Sequence, residues 1–225
     1  MESGKKEFAQ YLSPTYYIDS DHPAIIEYAE TLIRGKSNAV EKAIALFYGV
    51  RDDIYYDPYA VSLTPAHYKA SFTLSARRGF CIPKAVLLAA VCRAVGIPAR
   101  LGFADVKNHL TTEKLRKAMG TDLFVYHGYV EMFLKERWVK ATPAFNQSLC
   151  EKFQVQPLEF DGWNDSLFHE YDRNGNLHME YVYDHGHYDD LPLPEIFIAF
   201  QKHYPGLIDA SYRLPGDFEE EATPL

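Results

Sequence analysis

Three cysteines, Cys81, Cys92 and Cys150, occur in the chain, none of them in a CxxC pair, and each is read as a free thiol. Cys81 alone stands where the backbone itself would make a thiol reactive. It precedes Ile82-Pro83-Lys84-Ala85-Val86-Leu87-Leu88-Ala89-Ala90-Val91-Cys92-Arg93-Ala94-Val95-Gly96-Ile97-Pro98, a stretch that reads as a helix with both ends marked. Pro83 fits a first turn, where its missing N–H is not needed, Arg93 suits the last turn, and Gly96 and Pro98 supply a cap and a stop. The sulfur of Cys81 would then lie at the positive end of the helix dipole, among unpaired N–H groups that favour the thiolate and depress its pKa. The helix body is apolar nearly all round, so it belongs in the core with Cys81 fixed at its tip. Cys92 falls about 16 Å further along the same axis and reads as core. Cys150 reads as a loop or edge thiol.

A base for that thiol is offered by His127, within Phe124-Val125-Tyr126-His127-Gly128-Tyr129-Val130-Glu131-Met132-Phe133-Leu134. Strand alternation places Phe124, Tyr126, Val130, Met132 and Leu134 on one face and His127, Tyr129 and Glu131 on the other. An even-numbered loop after Leu134 would return Trp138, Lys140 and Thr142 on the face of His127, with Thr142 diagonally across from the imidazole. A thiol and an imidazole so paired can carry nucleophilic catalysis through a thioacyl-enzyme, with backbone N–H groups at the helix start as oxyanion donors.

In order, residue type and rough spacing, Gly79-Phe80-Cys81, the apolar helix, Arg93 to Arg100, His127-Gly128-Tyr129-Val130-Glu131 and Trp138-Val139 resemble the core of the transglutaminase-like superfamily, over about residues 70 to 146. The closest likeness is to its bacterial branch of transglutaminase-like or cysteine-protease-like proteins. The resemblance implies an α+β, papain-like fold, with Cys81 as nucleophile and His127 as base of a cysteine protease or amidase. The expected substrate is a peptide, protein or small amide; water as acceptor gives hydrolysis and an amine gives acyl transfer. No cofactor is expected. The family usually carries an Asp-Pro-Thr run after the tryptophan strand, whereas this chain has Thr142-Pro143-Ala144. Thr142 is the positional match for the residue that orients the imidazole, and Asn146 is the chemical alternative, since papain-like sites can use an amide. A non-catalytic binding module of the same fold is the principal rival.

Other groupings suggest less. Asp184-His185-Gly186-His187-Tyr188-Asp189-Asp190 has ligand types that suit a divalent metal, but it follows a strand and reads more simply as a solvated turn. Asp161 or Asp165 could replace the absent carboxylate. Asp172-Arg173-Asn174-Gly175-Asn176 has its glycine misplaced for a calcium loop and is rejected.

The elements that would position these residues follow from periodicity and capping. Helices are expected over Pro23–Arg34 behind Asp21, Asn38–Asp52 behind Ser37, Ala66–Ser71, Thr111–Met119 and Pro194–His203. Strands are expected at Ala99–Ala104, Leu123–Leu134 and Arg137–Ala141, with a second hairpin, Leu167–Tyr171 and Leu177–Tyr183, turned at Asn174-Gly175. Helices first and antiparallel strands later read as α+β. At 225 residues, 47% hydrophobic, the chain is expected to form one domain, residues 1–225, with a core at about 20–146 and an extension, 147–225, packed on it. The net charge of -8 has no basic run to set against it, which argues against a nucleic-acid partner. The longest apolar run, Ala85 to Cys92, is far short of the ~20 residues needed to cross a bilayer, and no membrane partner is expected. Without an apolar signal core at its start the protein is expected in the cytoplasm.

Overall fold

The computed structural model describes residues 8–109, 111–168, 179–206 and 215–222. Helix α1, Pro23–Leu32, and helix α2, Ala39–Asp53, open the chain. Their caps are His22 and Asn38, one residue later than the sequence suggests, because the side chain of each accepts a backbone N–H of the first turn. A short strand, β1, Tyr55–Tyr56, pairs in parallel with β2, Arg78–Gly79. Between them the expected helix near Ala66–Ser71 divides into a 3-10 turn, Pro65–Tyr68, and α3, Ala70–Ala76.

Helix α4, Cys81–Ala94, is the pivot of the fold: every residue from Cys81 to Arg93 is buried. Its apolar surface has no preferred side, as a helix surrounded by other elements requires. Gly96, at φ 80°, lets the chain reverse after it. The chain continues into β3, Ala99–Asn108, four residues longer at its end than the sequence indicates. Helix α5, Glu113–Met119, starts behind Thr112, whose hydroxyl accepts the Leu115 N–H. Strands β4, Leu123–Leu134, and β5, Arg137–Ala141, have the expected bounds. Lys135 and Glu136, both at positive φ, close them with a two-residue loop, as the hairpin's own twist favours.

After the six-residue helix α6, Gln147–Lys152, and strand β6, Met179–Tyr188, the described chain ends in α7, Leu193–His203, and α8, Phe218–Glu221. The main sheet has the order β5-β4-β3-β6, antiparallel throughout. The segment Asp184–Tyr188 therefore lies in a strand rather than a turn. The pairing expected for the second hairpin, with its Asn174-Gly175 turn, falls mostly outside the described residues, as does the rejected Asp172–Asn176 loop; Leu167 and Phe168 are described and form no strand.

One face of the sheet packs on α4 through Leu101, Phe103, Val130, Met132 and Val139, all fully buried. Two family-like motifs meet on the sheet: Arg100 lies opposite Glu131 in register and its Nε donates to Oε2 of Glu131 at 2.6 Å, under the ring of Trp138. No helix among the described residues is long and apolar enough to cross a membrane.

Candidate functional site

Cys81 is the first residue of α4, behind Phe80, whose extended backbone ends the approach from β2. The Cys81 sulfur lies against the backbone N–H groups of Gly128, Ile82 and Cys81 itself. These favour the thiolate, as the sequence reading requires, but burial outweighs them and pushes the thiol up to about 11. The depressed pKa expected from the helix start together with a nearby imidazole is thus corrected: the backbone N–H groups favour the thiolate, and desolvation exceeds them.

Gly128 explains how strand and helix come together. A Cβ at this position would meet Ile82 Cα at 3.1 Å and the Cys81 carbonyl oxygen at 3.3 Å, tight contacts that glycine avoids where β4 crosses the start of α4. The sequence supplies the glycine; only the structure supplies the reason.

His127 precedes it. Cys81 and His127, each 6% exposed, line one cavity of about 40 Å³. Burial alone drives the His127 imidazole down to about 4, and among the described residues no hydrogen bond holds its ring. The rest of the wall is apolar or aromatic: Tyr56, Pro58, Val61, Phe80 and Ile82 on the side of the early loops and α4, Leu115 and Met119 from α5, Phe124 and Val125 from β4, Phe200 and Tyr204 from the end of the chain.

The backbone reaches His127 through a bulge. Ala104 pairs with His127 and Val106 with Phe124, leaving one extra residue on β4, and Tyr126 takes φ 54° there. This breaks the alternation read from the sequence: Phe124 packs against the main core as well as against the small cluster of Ala104, Val106 and Tyr129. Asp105 stabilises the bulge, its Oδ1 accepting from the Tyr126 N–H at 2.9 Å and lying 2.7 Å from His185 Nε2. The His185 ring stacks on Tyr126 at 3.9 Å between centroids. Asp105 is a positioning residue that the sequence reading missed; its cue was a carboxylate set between the apolar Ala104 and Val106.

Neither Thr142 nor Asn146 lines the cavity. The hairpin register brings Ala141 opposite Val130, so the next residue, Thr142, runs beside Tyr129 and diagonal to His127. Its N–H donates to the Ser166 carbonyl at 2.8 Å, while its hydroxyl is buried without a hydrogen-bond partner. The Asn146 carboxamide is fully engaged: Oδ1 accepts from the Tyr56 N–H at 3.0 Å, and Nδ2 donates to Ser148 and Glu219. Asn146 therefore positions Tyr56 in the cavity wall. Asp161 caps the N–H groups of Trp163 and Asn164, and Asp165 accepts from the Lys140 N–H, both at exposed sites away from the cavity. His185 is engaged by Asp105, and among the described residues no three His, Cys, Asp or Glu side chains converge to hold a metal ion.

Lys84, one turn beyond Cys81, is also buried. Its ammonium donates to the Arg51 carbonyl at 2.8 Å and to the Ile54 carbonyl, closing the end of α2. Burial holds its pKa down at about 7.

A family model described as the transglutaminase-like superfamily matches residues 26–143, just over half of the chain. Similar solved structures include a proposed cysteine protease from Cytophaga hutchinsonii, 22% identical with a TM-score of 0.47, covering 61% of this chain and 42% of that one. The periplasmic domain of TgpA from Pseudomonas aeruginosa is 24% identical, TM-score 0.41, covering 59% and 45%. An arylamine N-acetyltransferase from Salmonella typhimurium is 12% identical, TM-score 0.48, covering 86% and 76%. The chain thus spans less than half the length of the first two. No curated protein matches.

Proposed function

The chain belongs to the transglutaminase-like superfamily, and from that premise we propose that it is a cysteine-dependent hydrolase or acyltransferase acting on amide carbonyls. The observation that carries the proposal is the shared cavity, lined both by the Cys81 thiol, at a helix start and against three backbone N–H groups, and by the imidazole of His127.

Both groups are neutral in the resting site, so the reaction begins from thiol and imidazole. His127 takes the Cys81 proton as sulfur bonds to the carbonyl carbon, and the negative oxygen that forms there is met by the N–H groups at the start of α4. Collapse expels the amine, which leaves with the proton from His127, and a thioester remains on Cys81. Water, deprotonated by His127, then releases the acid; an amine in its place gives acyl transfer. Thr142 is the candidate orienter, through a hydroxyl that still has an open valence for a hydrogen bond.

The rival reading, a binding module that keeps the fold without the reaction, draws on the neutral resting pair and the missing carboxylate at Thr142. Labelling with a peptidyl electrophile separates the two. The enzyme reading expects Cys81 to be labelled well ahead of Cys92 and Cys150, with the advantage lost in His127→Ala. Equal labelling of all three thiols would leave the binding module.

A further inference from the structure

The wall of the Cys81–His127 cavity carries a substrate signature of its own. We propose that the acyl group transferred to Cys81 is uncharged and apolar, and that carboxylate- or carboxamide-bearing acyl chains are rejected. The inference rests on the catalytic reading above and names its acyl donor.

The argument is one of solvation. Val61, Leu115, Met119, Phe124, Val125 and Phe200 form the wall beyond the reacting pair, and none offers a hydrogen bond from its side chain. Tyr204 is closed to a ligand, since its hydroxyl already donates to the Leu123 carbonyl at 2.9 Å and accepts from the Val125 N–H at 2.5 Å. Nearby charged side chains are turned to one another: Asp57 to Arg78, Lys114 to Glu221, and Asp105 to His185. A carboxamide extending past Tyr56 and His127 would leave water for the side chains of Val61, Leu115, Met119, Phe124, Val125 and Phe200, which cannot replace its hydrogen bonds. That penalty corresponds to roughly 10- to 100-fold in rate, and a carboxylate fares worse. An apolar chain of the same shape meets no such penalty and gains contact with the wall.

N-acetylcysteamine thioesters of 3-methylbutanoate, malonamate and malonate test this, because the three acyl chains are nearly isosteric and transfer by simple thiol exchange, with no oxidant or reductant. Rates of Cys81 acylation, read by mass spectrometry and normalised to the rates with free cysteine, should favour 3-methylbutanoyl at least tenfold over malonamoyl and further over malonyl. In Val61→Lys, which puts an ammonium at a half-buried loop position, the malonyl disadvantage should shrink at least tenfold. Equal normalised rates for the three donors, a preference for the polar ones, or no acylation of Cys81 by any of them would overturn the proposal. Failure of the catalytic reading is visible separately, as Cys81 acylation that keeps the apolar preference but does not slow in His127→Ala.

Discussion

His127 is buried without a charged neighbour to stabilise its protonated form, and this single placement has consequences for both stability and chemistry. Its pKa in the folded state is about 4 against 6.5 for an ordinary imidazole, so between those pH values the unfolded chain binds more protons than the folded one. Stability should therefore fall as the pH drops through 6.5 toward 4, by roughly 3 kcal/mol from this residue alone. Urea denaturation at pH 7 and pH 4.5 should show His127→Gln losing much less stability on acidification than the wild type. The Cys81 thiol, raised to about 11, gives a matching expectation: its alkylation rate in the resting protein should keep climbing past pH 9 instead of levelling there. The orienting role assigned to Thr142 has its own signature. Since its hydroxyl is buried and unpaired, Thr142→Val should leave stability unchanged or raise it by up to about 1 kcal/mol, yet lower turnover. Thr142→Asp should raise turnover about tenfold if the carboxylate reaches the imidazole. A Thr142→Val variant of full activity would remove the residue from the mechanism.

At the level of elements, the start of α4 is held from two sides. Gly128 lets β4 cross it closely, and Lys84 ties it to the end of α2 through two carbonyl oxygens. Lys84→Met should cost about 1–3 kcal/mol in a denaturation experiment, because the two carbonyls lose their donor inside the core. These elements also show how far the sequence could be read. The α4 helix and the β4–β5 hairpin were legible because their signals are local: Pro83 and Gly96 mark the ends of one, and alternation with a two-residue turn marks the other. Lys84 was not legible, since nothing within its own helix foretells that its ammonium meets the carbonyls of Arg51 and Ile54. The bulge at Tyr126 was hidden for the same reason. It depends on Asp105 from the neighbouring strand, and it alters the alternation on which the face of Phe124 was read.

Across the whole molecule, residues distant in sequence converge to cover the reacting pair. The Tyr59 hydroxyl meets Thr112 at 3.0 Å and donates to Glu221 at 2.7 Å, and Glu221 also binds Lys114 at 2.7 Å. One carboxylate of α8 thereby links the loop that carries Pro58 and Val61 to the helix that carries Leu115 and Met119, the two sides of the cavity mouth. Phe218 of the same segment is buried against Tyr56, Tyr59 and Phe153. Loosening this link should widen access: Glu221→Ala should speed iodoacetamide modification of Cys81 several-fold while leaving Cys92 and Cys150 protected. An unchanged Cys81 rate would show that α8 does not restrain the mouth. Sequence composition located no such closure, because it arises from pairs such as Tyr59 and Glu221 that are far apart in the chain. The central claim remains the partnership of thiol and imidazole, and the rate of acyl-enzyme formation on Cys81 in a single turnover tests it most directly. With His127→Ala that rate should fall by roughly 10²- to 10⁴-fold, the contribution of a positioned general base; an undiminished rate would contradict the claim.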